Sequence, residues 1–339
     1  MVRYIPVIDV GNTSAKLAWI RLECDFTAQV SWIHRISTCQ SSDTLDPKTL
    51  ITTLLEAFEA GKKVLYNLSS QEGTPSTYSL HHNIQIVCVN STWSTALEAL
   101  QLTQQNTFKP YRFTLHTVNT LLEHYPCDLS DYPVTRLGKD RFLAGLIPLY
   151  TARSGRLLSE DTAHENNPTV WLILSAGTAI TLDVWVIPAS HMPERRKFLG
   201  GLILPGLRLL GTALSHQIPT LPTITAKDLL LTYNTTLPKQ TLGHDTLSCI
   251  TQGLQHLVYG GLILALQTIL QGLKPQENLP LATVSPVLLI TGGDGEVLYQ
   301  GLQQHAHLLP SNAFSSWVLA PHALLHQLAH LATLEDSTL

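Results

Sequence analysis

The fold is decided near the start of the chain by Ile5-Pro6-Val7-Ile8-Asp9-Val10-Gly11-Asn12-Thr13-Ser14-Ala15-Lys16, an apolar run that leads into a carboxylate, a glycine, small polar residues and a lysine. The apolar residues predict a buried strand that holds Asp9, and Gly11 allows the backbone to approach an anion closely. The N–H and hydroxyl groups of Asn12, Thr13 and Ser14 can donate hydrogen bonds to phosphate oxygens. Since Asp9 would repel a bare phosphate, its position indicates a bridging Mg²⁺.

The alternative for this segment is a plain β-hairpin turn, because Gly-Asn is common turn chemistry. Taken alone, the segment favours the hairpin. A second segment of the same kind changes the interpretation. The predicted strand Val170–Leu174 leads into Ser175-Ala176-Gly177-Thr178-Ala179, and the predicted strands Ile180–Ile187 and Phe198–Leu204 follow. A strand, a turn with glycine and threonine, and further strands therefore occur twice, which predicts two similar α/β lobes.

Composition limits the class of protein. The chain has 339 residues, 44% of them hydrophobic and 14% charged, and a formal net charge of −4. Its length suffices for two domains with substantial cores, and without a lysine- or arginine-rich run we expect neither nucleic acid nor a membrane as a partner.

The five cysteines are scattered, which is typical of reduced thiols. The sequence suggests no signal segment and no membrane span. The predicted location is cytoplasmic.

The periodicity of apolar residues predicts the other elements. In the first half, strands are expected at Lys16–Leu22, Val30–Ser37, Val64–Leu68 and Ile84–Val89, helices at Pro47–Ala60 and Trp93–Gln101, and an irregular to extended stretch at Asn106–Val118. In the second half, helices are expected at Leu207–His216, Thr246–Leu273 and Ala320–Thr333, and a strand at Val287–Ile290. The predicted domains are residues 1–151 and 169–339, joined by a polar linker or insertion at 152–168.

Four segments carry residues suited to chemistry: Asp9–Thr13, Leu137-Gly138-Lys139-Asp140-Arg141, Gly177-Thr178-Ala179 with Asp183, and Thr291-Gly292-Gly293-Asp294. Two facing turns with glycine and threonine can clamp the phosphates of a nucleotide. Asp140 can accept the proton of an attacking alcohol, and Arg141 beside it can hold a carboxylate substrate in bidentate fashion. Taken alone, Gly-Lys-Asp-Arg is typical of an ordinary charged helix start.

In their order along the chain, these segments resemble the motifs of one family, the type III pantothenate kinases, in the class of sugar kinases, heat-shock proteins and actin. The resemblance rests on Asp9–Thr13, Gly138–Arg141, Gly177–Ala179 with Thr181-Leu182-Asp183, Gly200–Gly206, Asp245-Thr246 and Thr291–Asp294. It implies two ribonuclease-H-like lobes, each with a mixed β-sheet flanked by helices, and a nucleotide cleft between them. It also implies ATP-dependent phosphorylation of pantothenate to 4′-phosphopantothenate, the first step of coenzyme A biosynthesis, by a homodimer.

The resemblance implies a role for each matching residue. The ATP phosphates would be lined by Asp9, Gly11, Asn12, Thr13 and Lys16, with Thr178 near the γ-phosphate. Asp140 would be the general base. Pantothenate would be bound by Gly138, Lys139, Arg141, Thr246 and Tyr132, and the adenosine side would be formed by Gly292 and Gly293. The implied cofactors are ATP, Mg²⁺ at Asp9, and a monovalent cation, K⁺ or NH₄⁺.

Three positions depart from the family's usual pattern: Ser175, Asp245, and Tyr132 in its spacing from the Gly138 segment. Ser175 stands where the family has an aspartate that serves a monovalent cation, and a neutral hydroxyl cannot supply that charge, although Asp183 could compensate. Asp245 replaces an asparagine beside Thr246. If the protein is an active kinase, Asp9 should therefore carry more of the cation handling than in its relatives. The departure at Ser175 also motivates an alternative, a catalytically weakened nucleotide-binding protein with an accessory or regulatory role. A third reading keeps the kinase fold and changes the acceptor.

Overall fold

The computed structural model describes residues 2–23, 28–38, 47–71, 78–103, 111–148, 169–187, 196–231, 242–273 and 286–337. The chain forms two compact units. Lobe 1 comprises Met1–Pro126, Tyr132–Ser159 and His322–Leu339, and lobe 2 comprises Cys127–Asp131 and Glu160–Pro321. The end of the chain therefore belongs to lobe 1, whereas the sequence suggested an undivided second domain at 169–339. The predicted linker at 152–168 lies outside the described residues.

The strands are β1 Val2–Val10, β2 Ser14–Leu22, β3 Ala28–Ser37, β4 Tyr78–Leu80, β5 Asn83–Cys88, β6 Arg112–His116, β7 Thr169–Ala176, β8 Ala179–Ile187, β9 Lys197–Pro205, β10 Val287–Thr291 and β11 Ser316–Leu319. The helices are α1 Pro47–Gln71, α2 Ser91–Thr103, α3 Val118–His124, α4 Lys139–Ala144, α5 Leu207–Gln217, α6 Ala226–Leu231, α7 Thr246–Gly272, α8 Gly295–Gln304 and α9 Ala323–Ser337.

The two lobes contain sheets of the same topology. In lobe 1 the strand order is β3-β2-β1-β5-β6, with β4 beside the start of β1, and in lobe 2 it is β9-β8-β7-β10-β11. In each sheet the first three strands of the lobe are antiparallel neighbours, and the two later strands run parallel to the first. The prediction of two ribonuclease-H-like lobes with mixed sheets flanked by helices is confirmed.

The strand predicted at Val64–Leu68 is wrong, because this segment is the end of α1. Leu54, Phe58 and Leu65 are buried at helical spacing, so the helix extends its apolar stripe past the predicted end. Gly61 lies on the same stripe, where an added Cβ would come within 2.7 Å of Trp32 and 2.8 Å of Trp19. The missing side chain thus allows α1 to lie directly on the aromatic rings of the sheet.

The opposite face of the lobe 1 sheet is covered by α9, which packs against β1, β2, β3 and β5, and by α4. The helix predicted at Ala320–Thr333 is observed as α9, three residues later at its start. Its buried residues include Leu325, Leu328, Ala329 and Ala332, the spacing expected of a helix that buries one face.

In lobe 2 the core lies between the sheet and α7 with α8. The side chains at alternate positions of the strands, such as Leu172, Leu182 and Leu288, pack there with Leu262 and Leu298. By length and apolar composition α7 could cross a membrane, so the sequence-based expectation that no segment reaches that length is wrong. This is weak evidence for a span, because the core helix of a soluble protein meets the same criterion.

Candidate functional site

The opening segment of lobe 1 is a hairpin, and hydrogen bonds hold the turn between its two strands in one shape. β1 and β2 pair in antiparallel register up to Val10 and Ala15, and the backbone N–H of Gly11 donates to the carbonyl of Ser14 at 3.0 Å. Thr38, just after β3, donates from its backbone N–H to the carbonyl of Thr13 and from its hydroxyl to that of Gly11, each at 3.1 Å. The hairpin and the phosphate-site interpretations are therefore compatible.

Asp9 and Lys16 form an ion pair directly behind this turn. They are register partners on β1 and β2, and Lys16 Nζ lies 3.3 Å from Asp9 Oδ2. Their side chains are only 14% and 21% exposed, so solvent screens the pair less than it screens a surface ion pair. The pair places a carboxylate and a cation at the carboxyl end of β1.

Asp140 lies in the first turn of α4, and the fold brings it near Asp9. Burial raises the pKa of the Asp140 carboxyl and the negative charge of Asp9 raises it further, while the backbone N–H and the guanidinium of Arg141 lower it in part. A Cβ added to Gly138 would lie 2.6 Å from Asp140 Oδ1, so glycine is needed for the carboxylate to fold back over the helix start. Such a partly desolvated carboxylate is a suitable general base.

Arg141 and Tyr132 contact each other beside this carboxylate. A guanidinium nitrogen of Arg141 lies 3.4 Å from the Tyr132 hydroxyl oxygen, and the guanidinium carbon lies 5.8 Å from the centre of the ring. Arg141 is 6% exposed. Burial raises the pKa of the Cys88 thiol, at the end of β5, to about 11, and the positive charge of Lys139 lowers it in part. Lys139, in the same turn as Arg141, therefore lies near the end of β5. Lobe 1 thus brings together most of the predicted substrate residues.

The matching turn in lobe 2 follows β7. The backbone N–H of Gly177 donates to the carbonyl of Ala179 at 3.0 Å, and the N–H of Gly206 donates to the carbonyl of Thr178 at 3.1 Å. A Cβ on Gly206 would collide with the carbonyl oxygens of Gly177 and Thr178, which explains the glycine after Pro205. Thr178 is exposed in the turn.

The predicted adenosine-side glycines lie at the end of β10, next to the end of β7. Gly292 has φ +96°, and an added Cβ would collide with the backbone of Ala176. The N–H of Asp294 donates to the Ala176 carbonyl at 3.2 Å, and Gly293 is exposed. The turn that carries Thr178 and the turn that carries Gly292 therefore lie at the same end of the lobe 2 sheet, where the missing side chain of Gly292 lets the ends of β7 and β10 come close.

Ser175 occupies the middle of a row of hydroxyl residues. Across the sheet it is the register partner of Thr181 on β8 and of Thr291 on β10. Both threonines are buried, and their hydroxyl oxygens have no hydrogen-bond partner in the part of the chain that the structure describes. Asp183 is fully buried two residues along β8 from Thr181, on the same face.

Asp245 and Thr246 form the start of α7. Asp245 is its N-cap: the carboxylate accepts a hydrogen bond from the Ser248 backbone N–H at 2.8 Å, and the Ser248 hydroxyl lies 3.1 Å from the Asp245 N–H. The hydrogen bonds from Ser248 lower the pKa of Asp245. The departure from asparagine thus keeps a good cap, because Asp and Asn are both favoured there. Thr246 is exposed in the first turn.

The site residues fit a magnesium ion that is shared with a ligand. Among the described residues no group of three or more His, Cys, Asp and Glu side chains could hold a metal ion by itself. Mg²⁺ in kinases is commonly held by one or two carboxylates together with substrate phosphates. Asp9 provides a carboxylate of that kind at the end of β1.

Sequence reasoning missed Thr38, Arg35 and His322. Thr38 belongs to no recognisable motif, and its hydrogen bonds to the first turn follow only from the pairing of β3 with β2. Arg35 is the register partner of Lys16. Burial lowers the pKa of His322, and the positive charges of Lys16 and Arg35 lower it further, so His322 lies near both. No local signal could have linked His322 to the start of the chain.

Comparison with known proteins identifies the relatives. The sequence model of the type III pantothenate kinase family matches residues 5–266. A type III pantothenate kinase of Alkalilimnicola ehrlichii is 32% identical over 171 residues, which are 50% of this chain and 54% of that protein. One from Cellvibrio japonicus is 29% identical over 180 residues, 53% of this chain and 56% of that protein. The chain thus spans about half the length of the curated relatives it matches.

Two solved structures are similar at a low level. An activator of the 2-hydroxyisocaproyl-CoA dehydratase from Clostridium difficile with bound ADPNP has 10% identity and a TM-score of 0.41, over 99% of this chain and 97% of that chain. A glucokinase from Balamuthia mandrillaris in complex with glucose has 12% identity and a TM-score of 0.39, over 98% and 94%. At such scores neither bears on function, and the fold assignment rests on the strand order of each lobe.

Proposed function

This chain belongs to the type III pantothenate kinase family, and we propose that it transfers the γ-phosphoryl group of ATP to the primary alcohol of pantothenate. The observation that carries the proposal is the site in lobe 1. There the partly desolvated carboxylate of Asp140 lies near Asp9 and is followed directly by Arg141, which contacts Tyr132. A base, a phosphate turn and a carboxylate-binding cation are the parts that such a reaction needs.

Each lobe offers a turn with glycine and threonine that is suited to the phosphates of ATP. In lobe 1, Lys16 and the hydrogen-bond donors of Asn12 and Thr13 would bind phosphate oxygens. Hydrogen bonds from Thr38 hold this turn in place. In lobe 2, Thr178 would donate to the terminal phosphate, and Gly292 and Gly293 would form the adenosine side, as the resemblance to the family implies. Asp9 would hold Mg²⁺, which neutralises charge on the phosphates when bound.

The chemical step requires one proton transfer. The alcohol oxygen of pantothenate attacks the γ-phosphorus while its proton passes to the Asp140 carboxylate. The bond between the γ-phosphorus and the β–γ bridging oxygen breaks, and ADP leaves with that oxygen. The raised pKa of Asp140 brings its basicity closer to that needed near neutral pH.

Arg141 would position the acceptor. Pantothenate carries a carboxylate, and a buried guanidinium can bind a carboxylate with two parallel hydrogen bonds. The hydroxyl oxygen of Tyr132 lies 3.4 Å from one nitrogen of that guanidinium and would help to orient it. Gly138 and Lys139 complete the turn in lobe 1. Thr246, exposed in the first turn of α7, would bind pantothenate as the resemblance to the family implies.

We also propose that the enzyme works without a strict requirement for K⁺ or NH₄⁺. Ser175 offers a neutral hydroxyl, and its register partners Thr181 and Thr291 are neutral too. A cation gains less from hydroxyl oxygens than from a carboxylate. Asp183 is the buried carboxylate that could compensate.

A homodimer in the cytoplasm completes the proposal. Lobe 2 exposes large apolar side chains along α7, with Leu247, Leu257 and Leu264 at 51%, 59% and 63%, and on β9 with Leu202 and Ile203 at 44% and 64%. Apolar exposure on this scale often marks a protein interface. Sedimentation of the purified protein would measure its oligomeric state.

The deciding experiment is a coupled assay of ADP release with ATP, Mg²⁺ and pantothenate, run with and without K⁺ or NH₄⁺. We expect turnover that depends on pantothenate. Folded protein that binds ATP and gives no turnover under any cation condition would overturn the proposal and favour the accessory role. Turnover with another alcohol in a substrate panel, and none with pantothenate, would keep a kinase and change its acceptor.

A further inference from the structure

A row of charged side chains crosses the lobe 1 sheet just behind the phosphate turn. Asp9, Lys16 and Arg35 are successive register partners on β1, β2 and β3. The next row, Val10, Ala15 and Ile36, packs into the core against α1 and α2. Because neighbouring residues of a strand point to opposite faces, the charged row points to the face that carries α9.

His322 approaches this row from the far end of the chain. It directly precedes α9, and its carbonyl accepts the helix hydrogen bond from the His326 N–H at 3.1 Å. The positive charges of Lys16 and Arg35 are the two charges that act on its imidazole. In the next turn, His326 is more deeply buried, and burial lowers its pKa to about 4, so it stays neutral. His322 thus lies near Lys16 and Arg35, and the neutral His326 lies near His322 on its buried side.

Positive charge exceeds negative charge in this cluster. Lys16 is paired with Asp9. Arg35 is exposed, and none of the ion pairs found among the described residues involves it. His322 adds a ring nitrogen that can become a further donor with a positive charge. Asp140 lies near Asp9 and adds a second negative charge, which Arg141 beside it offsets. Arg35 and His322 therefore leave this face of the sheet with capacity for an added anion.

We propose that Arg35 and His322 bind the polyphosphate chain of the nucleoside triphosphate beside Lys16. The site in lobe 1 would then extend from the Gly11–Ser14 turn, across the sheet, to the start of α9. Arg35 would donate two parallel hydrogen bonds to phosphate oxygens, as a guanidinium does best. His322 would donate one and gain a proton as the phosphate offsets its two cationic neighbours. The proposal rests on the proposed function only in that ATP binds at this turn.

The ligand anion is assigned to the nucleotide because of position. Val10 and Ala15 are the last register pair before the turn, and Asp9 and Lys16 are the pair next to them, so the row Asp9–Lys16–Arg35 lies directly behind the turn. A carboxylate of the acceptor has similar chemistry, and its expected partner, Arg141, lies in α4. The experiment below separates the two sources by measuring each ligand alone.

The test is calorimetric binding of a non-hydrolysable ATP analogue, of AMP and of pantothenate alone, to wild type and to Arg35→Ala and His322→Gln variants. We expect Arg35→Ala to weaken binding of the ATP analogue about tenfold, the scale of a lost charge-assisted hydrogen bond. Binding of AMP should change little. Arg112→Ala is the matched control, because Arg112 is also exposed on this sheet and lies at its opposite edge.

A second measurement follows the titration of the His322 ring protons by NMR, with His322→Gln used for assignment. Adding the ATP analogue should raise the pKa of His322, and AMP should raise it less. Equal loss of affinity for AMP and the ATP analogue in Arg35→Ala, an unchanged titration of His322, or weakened binding of pantothenate alone would each overturn the proposal. Because no phosphoryl transfer is measured, an inactive enzyme would leave this result interpretable.

Discussion

The carboxylates of Asp9 and Asp140 lie close enough in lobe 1 for the negative charge of Asp9 to raise the pKa of Asp140. One ends the first strand and the other begins α4. Asp9 is neutralised by Lys16 at 3.3 Å, whereas Asp140 is balanced by Arg141 and two backbone N–H groups. Two carboxylates with different surroundings can hold different roles, one towards a metal-bound phosphate and one as a base.

Replacing the base should stop the chemical step. We expect Asp140→Asn to lower kcat by about two decades or more, the usual contribution of a general base, with nearly normal affinity for ATP. Steady-state kinetics and binding of an ATP analogue measure the two quantities. Glu123→Gln serves as the control, since Glu123 is an exposed acid on α3 of the same lobe. Unchanged kcat in Asp140→Asn would remove Asp140 from this role.

Asp140 should also lower folding stability at neutral pH. Because its pKa is raised in the folded protein, the folded state binds more protons than the unfolded chain between the two pKa values, and stability falls as the pH rises through that interval. Asp140→Asn removes this titration. The difference between the melting temperature of the variant and that of wild type should therefore increase as the pH rises from acid to neutral. A difference that does not change with pH would contradict the prediction.

The catalytic turn should not tolerate a side chain at Gly138. In Gly138→Ala the added Cβ would lie 2.6 Å from Asp140 Oδ1, so the carboxylate must move. We expect a lower kcat with a melting temperature near that of wild type, because the flexible end of Asp140 yields before the backbone does. Gly253→Ala is the control, since its Cβ would meet no atom within 4 Å. A kcat equal to that of wild type would show that the carboxylate has room to move.

The cation response should depend on Ser175. We expect wild-type turnover to be the same in K⁺ and in an equal concentration of Na⁺, because the row Thr291–Ser175–Thr181 is neutral. In Ser175→Asp a carboxylate enters this row, and activity should become dependent on K⁺. Ser175→Thr keeps the hydroxyl and tests the effect of volume alone. Strong activation of wild type by K⁺ would point to Asp183 as the compensating group.

Local patterns were enough to predict much of the fold. Apolar runs and the alternation of apolar residues located β1, β2, β3, β7, β8 and β9, because a strand needs apolar side chains on each face that it buries. The ordered motifs also located the turns after β1 and β7, whose glycines permit close backbone approach. Pattern alone could not end α1 correctly or find β11 and α8, because packing against the sheet rather than local propensity decides those short or extended elements.

The local sequence is enough to specify the repeated strand-turn unit around Asp9–Lys16 and Gly177–Ala179, because backbone pairing and turn chemistry act over a few residues. Long-range packing is what brings α9 back to lobe 1, Thr38 to the first turn, and Asp140 near Asp9. Such contacts join segments far apart in the chain. They arise from the burial of whole helix and sheet faces, which no local pattern of residues specifies.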